Sequence, residues 1–279
     1  MHDSRIFFTQ CECHWINVYE AFKPYKYLRR ITVDGMRNPS DLLVFDDCLY
    51  VPDDMTPRTR HVGCRNPFTD HCVWRIRLSG SEPPEKMLTS LGRWWPWTLS
   101  TTLDGRQIII TTTTNEATTN KAATNKAYFW IPSRNKLEMV TLPDDLHRPQ
   151  HIIELSYRSY LICHDPEHIS RLRKVCRLIR NGDKMSFTES PSFVDDLDFP
   201  EHLAELPDGR ILVADFYKNR VLVMAKDLSI CKILLCPKYG DKKRPCRIAY
   251  YSGSKKLLVA FHHSVGVYSL NADLLTGLP

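Results

Sequence analysis

The chain has 279 residues, 43% of them hydrophobic and 25% charged, with a formal net charge of +6. That composition excludes a disordered chain, and no run approaches the roughly 20 apolar residues that a membrane-crossing helix needs. A charge this small for the length does not demand a nucleic-acid partner; residues 1–10 lack the apolar block of a secretory leader, and a cytoplasmic protein with free, buried thiols among its ten cysteines is expected.

In chain order, short β-rich runs separated by turn residues fill the sequence. Residues 5–9 and 16–19 form a first hairpin, followed by a strand at 27–33. Pro39 then opens a pattern in which a proline is followed three residues later by Leu or Ile, and it recurs at Pro96, Pro149, Pro200 and Pro245. Each proline leads into an opening strand and then a second strand, at 48–51, 107–110, 159–163, 211–214 and 256–261. The Asp104-Gly105 and Asp208-Gly209 turns feed two of these, because Gly supplies the positive φ that a tight hairpin needs. Third strands follow at 73–78, 127–131, 175–179, 221–224 and 265–270, and fourth strands at 138–142 and 230–235. With the first hairpin, second and third strands each count six. A single such sheet is amphipathic on two faces and cannot bury both, whereas radial stacking covers every face with a neighbour. The expected fold is therefore one all-β domain over residues 1–279, a six-bladed β-propeller of four-stranded antiparallel blades. The first or last blade is incomplete, because the first unit has no Pro-anchored opening strand. Residues 273–279 are expected to close the ring beside the first unit, unless the chain is part of something longer. Helices should be few, since no segment keeps apolar residues at helical spacing.

Residues 199–224, FPEHLAELPDGRILVADFYKNRVLVM, resemble an NHL repeat, in which Pro, Asp-Gly, Val-x-Asp and Asn-Arg-Val recur in this order. Residues 38–53 with 72–78 are a second, degraded copy. The resemblance is to the NHL-repeat and TolB-like six-bladed propellers. It implies that Asp53 and Asp215 brace the following loop by accepting backbone N–H groups. It also implies a recognition module, since similar propellers of the tripartite-motif type bind RNA or proteins.

Loops at 53–71, 111–126, 165–173, 184–199 and 236–244 should gather on one face, because links from second to third strands and links between blades emerge at the same end. Asp41, Thr98, His151, His202 and Arg247 begin the innermost strands at one repeat position and should ring the channel mouth there. His151, His202 and Asp41 could ligate a metal; the favoured reading has water and neighbouring backbone satisfy the ring, with no cofactor, because Arg247 opposes a cation. Arg93, Trp94 and Trp95 could present an aromatic anchor or pack between blades. Arg171 and Arg173, and Lys242, Lys243 and Arg244, form basic clusters that could meet RNA phosphates, although Asp195, Asp196 and Asp198 mix the field. The leading expectation is a non-enzymatic scaffold that binds a protein partner, with RNA second. The alternative is a metal-dependent propeller enzyme at the channel mouth, similar to peptidyl-amidoglycolate lyases, gluconolactonases and paraoxonases. Those lyases place a His directly after the blade proline. His151 and His202 come one residue later, an offset that reverses the side chain on a regular strand.

Overall fold

The computed structural model describes residues 4–10, 13–53, 71–89, 95–113, 126–146, 148–164, 174–188, 197–235, 244–261 and 264–270. The chain divides into two compact units, residues 1–100 with 110–115, and residues 101–109 with 116–279. Among the described residues every regular element is a strand apart from two single 3₁₀ turns at Pro132–Arg134 and Ser252–Ser254. None of the described helical segments is long or apolar enough to cross a membrane.

The first unit contains two antiparallel meanders. One is β1 (Arg5–Thr9), β2 (Trp15–Glu20) and β3 (Tyr27–Thr32); the other is β4 (Leu43–Phe45), β5 (Cys48–Asp53), β6 (Cys72–Arg77) and β7 (Glu85–Met87). They share a core of Ile16, Val33, Leu49, Val51, Trp74 and Ile76. β5 is buried along its whole length, and its uninterrupted apolar run is what a strand covered on both faces requires. β8 (Trp95–Thr101) and β9 (Ile108–Thr113) run through the division between the units.

In the second unit, β10 (Lys126–Ile131) pairs with β11 (Lys136–Thr141), and β12 (Pro149–Ser156), β13 (Ser159–His164), β14 (Lys174–Asn181) and β15 (Lys184–Phe187) form the next meander. One parallel contact, Thr141 beside Lys184, joins the two groups into a single sheet. β16 (Pro200–Glu205), β17 (Ile211–Asp215), β18 (Arg220–Met224) and β19 (Ile230–Leu235) follow, then β20 (Pro245–Tyr251), β21 (Lys256–Phe261) and β22 (Ser264–Ser269). Each consecutive pair of these groups shares a core: Phe129 and Val140 meet Ile152 and Ile162, Leu161 and Val175 meet Leu203 and Val213, and Leu212 and Val223 meet Ile248 and Val259. The central strands of the third meander, β17 and β18, are buried throughout. Neighbour covers neighbour, as the stacking argument requires.

The strands expected from the repeat are all present, most within two residues of their expected ends. One segment differs. Within residues 184–199, expected as a link between blades, Lys184–Phe187 is a fourth strand, because Met185 alternates into the core and pairs opposite Arg180. Cys48 and Cys163 are buried free thiols as expected, and Cys246 is half-buried.

The paired aspartates act differently from the expectation. Asp53 accepts the main-chain N–H groups of Arg37 (3.2 and 3.1 Å) and Asn38 (2.7 Å) and the Trp74 indole N–H at 2.9 Å. Asp215 accepts the N–H of Asp198 at 2.8 Å and the Arg220 Nε–H at 2.8 Å. Both therefore brace the segment leading into their own blade, not the loop that follows. The reason is register: Asp53 and Asp215 sit opposite Pro39 and Pro200, so their carboxylates face the donors just upstream of those prolines.

Candidate active site

The expected ring residues fall in both units and are described unit by unit. In the first, Asp41 is buried and its Oδ2 accepts the Leu99 N–H at 2.8 Å. Thr98, immediately before Leu99, is completely buried. In the second unit the same device appears: His151 Nδ1 accepts the Leu203 N–H at 3.2 Å, and Leu203 immediately follows His202. In both cases a side chain at the repeat position of one blade takes the N–H that follows the same position in the next. Neighbouring backbone thus satisfies Asp41 and His151.

His151 and His202 come together, and the Arg247 charge acts on His202. The two imidazoles stack with ring centroids 3.8 Å apart and an interplanar angle of 15°. His202 is 8% exposed, and its Nδ1 is buried with no hydrogen-bond partner among the described residues. Arg247 donates through Nη1 to Glu201 Oε1 at 3.2 Å and to the Cys246 carbonyl at 2.8 Å. Both partners of this ion pair are largely buried. Burial, then His151, then the Arg247 charge all hold His202 well below its ordinary value of 6.5. The ring is therefore neutral at physiological pH.

This has a sign that can be measured. Below about pH 6.5 the unfolded chain takes up a proton on His202 that the folded protein refuses, so unfolding is favoured as pH falls. His202 lowers stability to urea from pH 7 to pH 5 against the opposite pull of the raised Asp215 carboxyl, so the His202→Gln variant should lose less stability over that range than the parent protein. An unchanged slope in that variant would place the pH dependence elsewhere.

The strands are not regular here. The register of β12, β16 and β20 shifts between Pro149 and His151, between Pro200 and His202, and between Pro245 and Arg247. A bulge of one residue breaks strict alternation. The one-residue offset of His151 and His202 reverses a side chain only on a regular strand, and the bulges at both positions lift that constraint. Reading the same repeat one position earlier would also have found Glu201, which stands directly after Pro200 and which the sequence reasoning missed.

A metal does not fit the histidine pair. Imidazole lone pairs lie in the ring plane, so two stacked rings cannot both aim a nitrogen at one ion about 2.0–2.1 Å away. His151 Nδ1 is already committed to Leu203. No group of three or more His, Cys, Asp or Glu suited to a metal occurs among the described residues.

Of the remaining expected residues, Arg244 lies with its guanidinium carbon 5.2 Å from both the Phe216 and the Tyr217 ring centroids. Trp95 begins β8, while Arg93, Trp94, Arg171, Arg173, Lys242 and Lys243 lie outside the described residues. So do most of the loops expected to decorate the binding face, and residues 273–279.

No sequence family and no curated protein matches the chain. Solved structures do match. A gluconolactonase from Xanthomonas campestris aligns with a TM-score of 0.67 at 11% identity, over 96% of this chain and 82% of its own. A luciferin-regenerating enzyme gives 0.64 at 12%, over 92% and 79%, and virginiamycin B lyase from Staphylococcus aureus 0.59 at 13%, over 97% and 83%. At these identities the likeness carries the fold alone, which is all-β and propeller-like. It nevertheless corrects the leading functional expectation. The propellers resembled are mostly enzymes, which stands against the expected non-enzymatic scaffold.

Proposed function

We propose that the chain is a propeller enzyme that opens lactones or related esters, with His202 as general base and Arg247 as the partner of the developing oxyanion. A six-bladed arrangement, with β10–β11 and β12–β15 of the joined sheet counted in two separate blades, belongs to the same reading, and the Asp53 and Asp215 braces support an NHL-type repeat within it. The observation that carries the proposal is a buried, neutral imidazole beside a guanidinium that Glu201 fixes in place. Likeness to a gluconolactonase supports the substrate class.

The chemistry needs one base and one cation. Water adds through oxygen to the lactone carbonyl carbon while its proton passes to the His202 ring. Negative charge then collects on the carbonyl oxygen, where a fixed guanidinium in a partly dry site stabilises it. Arg247 carries five N–H donors in a planar fork, and its Nη1 contacts with Glu201 and the Cys246 carbonyl fix the orientation of that fork. Collapse breaks the ring C–O bond, and the imidazolium returns its proton to the departing alkoxide, giving a hydroxy acid. His151 stacks on His202 and holds the ring in position.

The test is a pH-stat assay of the purified protein with gluconolactone, δ-valerolactone and phenyl acetate. Turnover above the spontaneous rate, unchanged by EDTA, is the expected result. No turnover of any of the three would overturn the proposal, and loss of turnover in EDTA would overturn the metal-free centre.

A further inference from the structure

The second unit also carries a cleft of about 470 Å³ that the hydrolytic centre does not use. It opens where the turn between β8 and β9 meets the turns that follow β12 and β14. Tyr157 follows the end of β12, six residues beyond His151, which at the rise of an extended strand is about 20 Å from the hydrolytic centre.

Its floor is a connected polar network. Arg180 pairs with Glu138 and lies 4.2 Å over the Phe129 ring. Glu154 Oε2 accepts the Leu103 N–H at 2.8 Å. Tyr160 is buried between Glu154 and Arg180, and burial with the nearby Glu154 charge pushes its hydroxyl up to about 12. The tyrosine is thus a neutral hydroxyl, able to donate and accept. The rim is of the opposite character. Tyr157 is 81% exposed and Leu103 59%. Arg158 holds a φ of 62°, where Gly or Asn would be less strained, and its guanidinium sits 5.0 Å from the Tyr157 ring.

We infer that this cleft is a binding site for a neutral carbohydrate, whose ring stacks on Tyr157 and whose hydroxyls meet Glu154, Arg158 and Gln107. The volume lies within the range of small-ligand sites. Every lining residue except Leu103 and Gly182 carries a polar side chain, yet the larger part of the exposed lining surface is carbon, a mixture that suits a ligand with both polar groups and C–H faces. Carboxylates and guanidinium groups are interspersed and the main pair is already matched, which disfavours an anion. A polyol has many weak donors and acceptors and one apolar C–H face, the combination that a mixed floor beneath an exposed aromatic accommodates.

The experiment is saturation-transfer NMR on the intact protein with glucose, galactose, mannose, maltose and cellobiose at millimolar concentration. Transfer to the ring C–H protons of at least one sugar is expected. The Tyr157→Ala variant should bind that sugar roughly tenfold or more weakly, while Tyr157→Phe retains it. Tyr157 is exposed, so neither change threatens folding. Absence of transfer to every sugar, or undiminished transfer in Tyr157→Ala, overturns the inference. The readout is binding, so its outcome is independent of whether lactones are hydrolysed.

Discussion

Replacement of His202 by glutamine lowers the rate of lactone opening by about 10²–10⁴-fold, the usual contribution of a positioned general base. The ring that accepts the proton is neutral because burial, His151 and Arg247 all disfavour its charged form, so it is available as a base across neutral pH. Glutamine keeps a comparable volume and hydrogen-bonding capacity but has no basic nitrogen. Added imidazole should therefore restore part of the lost rate in the variant and leave the parent protein unaffected. A variant with full activity would remove His202 from the chemistry, whereas unfolding, monitored by circular dichroism, would show a structural role instead.

Truncation of Arg220 to alanine is expected to reduce unfolding free energy by about 3–5 kcal/mol, as removal of one member of a buried ion pair does. Asp215 has no solvent exposure, and the Arg220 side chain is only 8% exposed. Burial pushes the Asp215 carboxyl from 3.8 up to about 6, outweighing the guanidinium 2.8 Å away. Without Arg220 that carboxyl must either stay charged and unpaired or take up a proton. The folded state then gains on the unfolded chain as pH falls, since the folded carboxyl binds its proton more tightly. The gap between variant and parent should consequently narrow from pH 7 to pH 5. Urea unfolding at both pH values measures it, and a loss below about 1 kcal/mol at pH 7 would assign the pair to the weak class of exposed bridges.

Comparison of Asp53 with Asp215 shows what local sequence conveys and what it does not. The Asn-Arg-Val element of residues 219–221 announces an arginine for Asp215. The degraded copy has no arginine at the matching place, and the Trp74 indole supplies the donor in its stead. The need for a partner is readable from a buried Asp, since an orphaned carboxylate is costly; the partner's identity depends on which third-strand side chain reaches it. The direction of the brace was misread for a related reason, because it depends on where the lead-in segment passes and not on spacing.

The alternation of turn residues with short apolar runs, read without coordinates, already determines an all-β chain of repeated antiparallel meanders. Pairing along a strand has a period of two and turns have local chemistry, so both are written in neighbouring residues. The candidate site is another matter. The repeat placed His151, His202 and Arg247 at one position, but stacking of the two rings, the Glu201 anchor and the neutral state of His202 arise from bulges and burial. Those are properties of residues about fifty positions apart in the chain, and only packing of one sheet against the next brings them into contact.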